Sequence, residues 1–260
     1  MGAARSGLRV RILGAGPRVV LLHGGPGLDH HVLVPLAEEL ADVYEVWLPD
    51  LPGHGAHATR QRPGLSETVE RLERWLLSLG GAVDVLAGHS LGAFLVRELL
   101  RRGNLRPGAA VLLAPPAGDP ARGRLGWPRV PKERRATVDA IRRGLLAEVT
   151  RQTGAPPSER FVECVGGARL APPTSHEALL RGLGLALSQP TPRCRPGCPV
   201  LVLSGAEDPI VTPHQASVVA AATAGATLAT VPGVGHVPAA TASDGTSAAI
   251  RDFLAAQLRR

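Results

Sequence analysis

The pentapeptide GHSLG at residues 88–92 constrains the fold of this chain more than any other stretch. It follows an apolar run at residues 83–87 and precedes a helical pattern at residues 91–102. A serine between a strand and a helix lies on a tight turn that requires small residues two positions before and two positions after it, and the flanking glycines meet this requirement. This context predicts a turn that presents Ser90 at a helix N-terminus, where free amides and the helix dipole favour a developing negative charge.

Apolar runs with the length of strands alternate with amphipathic helical patterns through most of the chain. This alternation predicts an α/β fold with a mostly parallel sheet and helices on both of its faces. The predicted strands cover residues 8–13, 18–22, 43–48, 83–87, 109–114, 200–204 and 227–231, and the predicted helices between them cover residues 32–41, 66–79, 91–102, 212–224 and 246–258.

Residues 117–190 interrupt the alternation, because they contain no clear strand and are rich in proline and arginine. The strand pattern resumes at Pro199. We therefore predict a core formed by residues 1–116 and 191–260, with residues 117–190 inserted as a helical cap. Such an insertion would cover the carboxyl edge of the sheet, where ligands of open α/β sheets bind. Weak helical patterns in the inserted segment cover residues 132–150, 158–166 and 175–187.

The net charge of +7 raises the question of a nucleic-acid partner. The basic residues are scattered, however, and aromatic residues make up only 3% of the chain, too few to stack on bases. We therefore expect no nucleic-acid binding. Residues 117–151 contain nine basic and four acidic residues. This excess fits a solvated helical face as well as it fits recognition of an anionic substrate or an acidic carrier protein.

The sequence contains no signal for a membrane or for secretion. No apolar run reaches the ~18 residues that a transmembrane helix needs, and the first residues are polar. The three cysteines are an odd number, which favours a reducing cytoplasm over a disulfide framework. Cysteine, histidine and carboxylate residues do not cluster at the spacing of metal ligands, so we expect neither a metal nor a cofactor.

A second glycine-rich turn, HGGPG at residues 23–27, directly follows the predicted strand at residues 18–22. Its backbone amides are not obstructed by side chains. We predict that the amide of Gly25 and the amide of Leu91 form an oxyanion hole for the substrate oxygen. His23 is then a scaffold residue.

A serine hydroxyl becomes a useful nucleophile only when a base removes its proton. Among nine histidines, His236 follows the last predicted strand and lies in a loop at the carboxyl edge of the sheet. We therefore predict that His236 is the base for Ser90. His54 and His57 are expected to shape the pocket wall, and the side chain of His89 is expected to point away from the nucleophile.

The base needs an acid that fixes its tautomer. Asp208 follows the predicted strand at residues 200–204 and precedes His236 by 28 residues, which gives the order Ser, Asp, His. The adjacent Glu207 is expected to face solvent. Asp119 follows another strand at the same edge and is the alternative acid.

These motifs and their order resemble the α/β-hydrolase superfamily over nearly the whole chain. The resemblance implies a serine hydrolase in which residues 117–190 are the family's helical cap. The turn at 23–27 is similar to that of proline iminopeptidases, although Leu91 stands where those enzymes usually carry tryptophan. The stretch from Gly88 to Ala93 is similar to that of type II thioesterases and esterases.

We predict an enzyme that cleaves a small or medium ester, lactone or thioester through an acyl-enzyme intermediate. Its substrate would be a small acyl molecule, including an anionic or carrier-bound one. Three alternatives stay open at the level of sequence. They are a lyase or cyclase that uses the site for carbon–carbon cleavage, elimination or cyclisation, an aminopeptidase similar to proline iminopeptidases, and a receptor-type binding protein without turnover.

Overall fold

The computed structural model describes residues 7–57, 62–81, 83–121, 138–171, 173–241 and 245–258. Within these residues, seven strands form one sheet in the order β1-β3-β2-β4-β5-β6-β7. The edge strand β1 is antiparallel to β3, and every other neighbouring pair is parallel, so the predicted mostly parallel sheet is confirmed. The strands are β1 (Val10–Leu13), β2 (Arg18–Leu22), β3 (Glu45–Pro49), β4 (Val85–His89), β5 (Ala109–Leu113), β6 (Val200–Gly205) and β7 (Ala226–Val231).

Helices cover both faces of the sheet. Along β2, Val19 and Leu21 pack into one buried cluster, and Val20 and Leu22 pack into another. This alternation arises because successive side chains of a strand point to opposite faces. The helices are α1 (Val34–Leu40), α2 (Leu65–Ser78), α3 (Leu91–Arg102), α4 (Val138–Thr153), α5 (Glu159–Gly167), α6 (Glu177–Leu187), α7 (Pro213–Ala221) and α8 (Thr246–Gln257), of which α1 and α8 contribute to the first cluster and α2, α3 and α7 to the second.

The inserted segment (residues 117–190) contains α4, α5 and α6 and, within its described part, no strand. The observed helices agree with the predicted helical patterns, except that residues 122–137 lie outside the described residues. Most of the basic residues counted in the sequence fall there, so both interpretations of this stretch, a solvated helical face and recognition of an anion or an acidic carrier, stay predictions. The division into a core and a cap is likewise a prediction. None of the helices in the described ranges is long and apolar enough to cross a membrane.

One helix ends earlier than its sequence pattern predicts. The pattern extends to residue 224, but α7 ends at Ala221. Beyond it, the Ala222 carbonyl accepts from the Cys194 N–H at 2.8 Å, and the Ala224 N–H donates to the Cys194 carbonyl at 2.9 Å. The chain leaves the helix because these groups pair with a distant segment instead.

Candidate active site

Ser90 lies on the turn between β4 and α3, and its backbone is strained. Its φ of 52° and ψ of −113° fall in a region that residues other than glycine rarely adopt. The turn is held because the Ser90 N–H donates to the Leu113 carbonyl of β5 at 2.8 Å. The serine is therefore presented at the carboxyl edge of the sheet, directly before the first turn of α3.

The two glycines that flank this turn are required by close backbone contacts. A Cβ on Gly88 would lie 2.4 Å from the carbonyl carbon and oxygen of Gly92, and a Cβ on Gly92 would lie 2.2 Å from the Leu22 carbonyl oxygen of β2. These neighbours are backbone atoms of the sheet and helix, which cannot move aside as a flexible side chain can. The elbow (residues 88–92) therefore accepts no side chain at either position.

Replacement of Gly92 with alanine is expected to destabilise the protein. The added methyl would overlap the carbonyl of β2, and overpacking of this kind costs typically about 1–3 kcal/mol. Urea denaturation followed by circular dichroism measures the loss. Gly144→Ala is the matched control, because Gly144 is exposed in α4 and a Cβ there meets nothing within 4 Å. A Gly92→Ala protein as stable as the control would contradict the packing argument.

The structure brings Ser90, His236 and Asp208 into one hydrogen-bonded series. His236 Nε2 lies 3.1 Å from Ser90 Oγ, and His236 Nδ1 lies 2.8 Å from Asp208 Oδ2. An ionised carboxylate only accepts hydrogen bonds, so it fixes the neutral imidazole with its proton on Nδ1. The lone pair of Nε2 then faces the serine hydroxyl. This arrangement can remove the hydroxyl proton.

Asp208 is buried, with 2% of its surface exposed, and its second oxygen is also occupied. Asp208 Oδ1 accepts from the N–H groups of Ile210 and Val211 at 2.8 and 2.9 Å. These amides fix the carboxylate and offset part of the cost of its burial. The alternative acid, Asp119, instead accepts from the Ala121 N–H in its own turn at 2.8 Å, and Glu207 is exposed as expected.

Gly25 and Leu91, whose amides are predicted to bind an oxyanion, line the same cavity as Ser90. Leu91 is the first residue of α3, where an N–H has no acceptor within the helix. Gly25 has a φ of 146°, a conformation that favours glycine. Its loop is held by His23, whose Nδ1–H donates to the Gly24 carbonyl at 2.7 Å and whose Nε2 accepts from the Leu51 N–H at 3.0 Å.

His89 belongs to the site, and the expectation that its side chain points away from the nucleophile was wrong. Its ring lies 4.9 Å from the ring of His236, and its Nε2–H donates to the His236 carbonyl at 2.7 Å. Burial lowers the pKa of His89 to about 3, so the ring is neutral and its single proton is engaged in this bond. The sequence alone contained no sign of this contact.

His54 supports the turn at 23–27 from behind and does not line the cavity. It is buried, its ring stacks on His176 at 4.0 Å, and burial lowers its pKa well below the ordinary value. A Cβ on Gly25 would lie 3.7 Å from His54 Nε2. The prediction that His54 shapes the pocket wall is therefore wrong, because His54 packs against the turn that borders the cavity and not against the cavity itself. The side chain of His57 lies outside the described residues.

A cavity of about 780 Å³ opens at Ser90 and His236. Its walls are mostly aliphatic and come from both the core and the inserted segment. Among its described lining residues, Glu148 is the one that bears a formal charge, and it is paired with Arg151 and Gln152. Their hydrogen bonds lower the pKa of Glu148. The space therefore suits an apolar acyl chain. Its apolar lining includes Leu28, Leu145, Val149, Leu180, Leu183, Leu187, Ile210, Val211 and Val237.

Asp29, His30 and His31 form the one group of metal-ligand type that the described part of the chain contains. Their ligand atoms all lie within 4.8 Å of one another. These atoms already have partners, because His31 Nδ1 lies 3.1 Å from Asp29 Oδ1 and His30 Nδ1 lies 2.7 Å from Asp50 Oδ1. A metal ion would have to displace these bonds. The group also lies outside the lining of the cavity at Ser90.

Comparison with known sequences decides the family. The profile of the Alpha/beta hydrolase family matches residues 19–249. The chain belongs to this family. Within the α/β hydrolase family it is 30% identical to a pimeloyl-[acyl-carrier protein] methyl ester esterase of Stenotrophomonas maltophilia, over 96% of this chain and 97% of the relative.

Solved structures agree with this fold. A thermophilic esterase from Thermogutta terrifontis superposes with a TM-score of 0.65 at 24% identity, over 96% of this chain and 93% of the other. The enol-lactonase from Burkholderia xenovorans LB400 superposes with a TM-score of 0.68 at 22% identity, over 95% and 96%. At these identities the likeness concerns the α/β hydrolase fold alone. Together with the curated relatives, the family match confirms that the chain is an enzyme, an ester hydrolase.

Proposed function

We propose that this ester hydrolase uses Ser90 as nucleophile, His236 as base and then acid, and Asp208 as the group that orients the base. The observation that carries the proposal is the 3.1 Å contact between Ser90 Oγ and His236 Nε2 at the mouth of an apolar cavity. An ordinary surface serine would have neither a histidine partner with a fixed tautomer nor an enclosed space beside it.

The chemistry follows from the proton positions. Ser90 Oγ attacks the acyl carbonyl while its proton passes to His236 Nε2, and Asp208 stabilises the resulting imidazolium. His236 then returns this proton to the departing alcohol, which leaves an acyl group on Ser90. A water molecule attacks this acyl-enzyme with the same base, and the carboxylic acid leaves with Ser90 regenerated.

The negative charge on the substrate oxygen requires donors that are already in place. The amides of Gly25 and Leu91 fill this role in the proposal, since both border the cavity beside Ser90. Such a donor contributes about 3 kcal/mol to the transition state. Both donors are backbone groups, so a change of side chain does not remove them. We therefore assign Gly25 and Leu91 to the oxyanion hole from the position of their backbone amides and not from the type of their side chains.

For the substrate, we propose the methyl ester of a medium-length acyl chain carried on an acyl carrier protein. The relative of Stenotrophomonas maltophilia is named for such a substrate and matches this chain almost end to end. The cavity accommodates an apolar chain with a neutral end, and the charge of its one carboxylate, Glu148, is balanced by Arg151. The net charge of +7 favours the approach of an acidic carrier.

A substrate panel tests this assignment. The purified enzyme is expected to release methanol from pimeloyl-[acyl-carrier protein] methyl ester with the thioester intact. Its kcat/KM is expected to exceed that for p-nitrophenyl butyrate by about 10-fold or more, because steering and contacts with the carrier add to acyl binding. Gas chromatography of methanol and mass spectrometry of the carrier measure the two products. Ser90→Ala is the control for background hydrolysis.

Other outcomes of the same panel would overturn the substrate assignment in distinct ways. Faster turnover of aminoacyl anilides than of esters would indicate an aminopeptidase. Loss of the thioester instead of the methyl ester would indicate a thioesterase. Turnover of none of the esters, with Ser90 still labelled by a fluorophosphonate, would favour the carbon–carbon bond reaction.

A further inference from the structure

The backbone of His236 is held on both sides by side chains that are distant in sequence. Its N–H donates to Gln152 Oε1 at 2.7 Å, and its carbonyl accepts from His89 Nε2 at 2.7 Å. His89 belongs to the elbow, whereas Gln152 belongs to α4 in the inserted segment. The position of the imidazole relative to Ser90 therefore depends on a residue outside the three that react.

The amide of Gln152 has only one orientation that satisfies its neighbours. Its Nε2 donates to Glu148 Oε1 at 2.7 Å, one turn earlier in the same helix. A carboxylate only accepts and a backbone N–H only donates, so a flipped amide would lose both bonds. Glu148 is held in turn by Arg151, whose Nε lies 2.9 Å from Glu148 Oε2. Glu148 and Arg151 of α4 thus hold Gln152 Oε1 in the position where it accepts from the His236 N–H.

The loop before His236 packs against the sheet on one side and against α4 on the other. A Cβ on Gly235 would lie 2.5 Å from Gln152 Oε1 and 3.0 Å from Gln152 Cβ. On the opposite side, a Cβ on Gly205 would lie 2.1 Å from the Val234 carbonyl oxygen. A side chain at 235 would require Gln152 to move, so the end of α4 packs directly against this loop.

We propose that Gln152 is a positioning residue that ties the inserted segment to His236. Gln152 and three other residues of α4 (Leu145, Glu148 and Val149) line the cavity in which the acyl chain is proposed to bind. One helix therefore both contacts the substrate and holds the base. This inference rests on the proposed role of His236, and it makes the inserted segment a part of the reacting site.

Gln152→Leu removes the acceptor while keeping a side chain of similar size. The His236 N–H then lacks its acceptor, so the loop that carries His236 is expected to shift toward another hydrogen-bond partner. We expect kcat to fall about 10- to 100-fold, a larger effect than the change in KM caused by altering a residue of the cavity wall, since a displacement of about 1 Å at a reacting group costs up to 10²-fold. Hydrolysis of p-nitrophenyl butyrate and the rate of fluorophosphonate labelling of Ser90 measure the effect. Thr150→Ala, an exposed position on the same helix, is the matched control.

An exchange of the two α4 side chains separates positioning from a general loss of packing. Gln152→Glu alone keeps an acceptor for the His236 N–H but places two carboxylates against each other, so it is expected to lower kcat less than Gln152→Leu does. In the double variant Glu148→Gln/Gln152→Glu, the amide at 148 donates to the carboxylate at 152, which again accepts from the His236 N–H. The double variant is expected to recover kcat to within about threefold of wild type.

The outcomes distinguish this proposal from the proposed function. If Ser90→Ala is inactive while Gln152→Leu matches wild type in kcat and in labelling rate, the positioning role is wrong and the function stands. A folded double variant whose kcat stays more than about tenfold below wild type would overturn the positioning role even if Gln152→Leu folds poorly. If Ser90→Ala keeps its activity, Ser90 is not the nucleophile, and the proposed function is wrong whatever the Gln152 variants show.

Discussion

Ser90→Ala is expected to lower kcat by about 10⁶-fold, to the level of hydrolysis supported by binding and the oxyanion donors alone. The alanine cannot attack the acyl carbonyl, so no acyl-enzyme forms. The fold should persist, because the Ser90 N–H that holds the turn is a backbone group and remains. Initial rates with p-nitrophenyl butyrate measure the loss, and thermal unfolding verifies the fold.

A matched serine replacement isolates the chemical effect. Ser217 lies in α7 and donates its hydroxyl to the His214 carbonyl at 2.7 Å on the surface. Ser217→Ala should therefore retain wild-type kcat. The assignment of Ser90 is refuted by a Ser90→Ala protein that turns over esters within tenfold of the Ser217→Ala protein.

Asp208→Asn is expected to lower kcat by about 10⁴-fold while leaving the shape of the site unchanged. The amide oxygen can still accept from the N–H groups of Ile210 and Val211. Its NH₂ group, however, then faces His236 Nδ1 and requires a lone pair there. The imidazole proton moves to Nε2, where it points at Ser90, so the ring can no longer accept the serine proton.

Asp119→Asn is the control, because Asp119 was the alternative acid in the sequence and its carboxylate accepts from its own turn in the structure. Stopped-flow or steady-state rates for both variants against one ester give the comparison. A larger loss at Asp119 would assign the orienting role to Asp119, and equal losses would contradict the assignment to Asp208.

The sequence predicted the sheet and the three residues of the proposed site because each prediction rests on a local pattern. A parallel strand buried on both faces is an apolar run, which made the inner strands β2 to β6 visible with boundaries shifted by a few residues. The edge strands β1 and β7 are more exposed, and short runs rich in β-branched residues indicated them. The elbow was visible because a strained turn between strand and helix demands glycine at two fixed positions. Asp208 and His236 were assigned because residues just after parallel strands meet at one edge of the sheet.

Contacts of the side chains around the site were not predictable in the same way. The bond from His89 to the His236 carbonyl spans 147 residues, and the bond from Gln152 to the His236 N–H spans 84. Neither His89 nor Gln152 has a neighbour in sequence that indicates its partner. The early end of α7 has the same origin, since Cys194 pairs with it from a separate loop.

The sequence by itself therefore determined the order of strands and helices along the chain and the strained turn at Ser90. It also determined which serine, histidine and aspartate side chains lie at the carboxyl edge of the sheet. These depend on backbone periodicity and on glycine, which act over a few residues. Only the tertiary structure decided how α4 lies over that edge, and with it the acceptor for the His236 N–H and the apolar lining of the cavity. That placement depends on packing between segments far apart in the chain, where each side chain has many competing partners and no local pattern selects one.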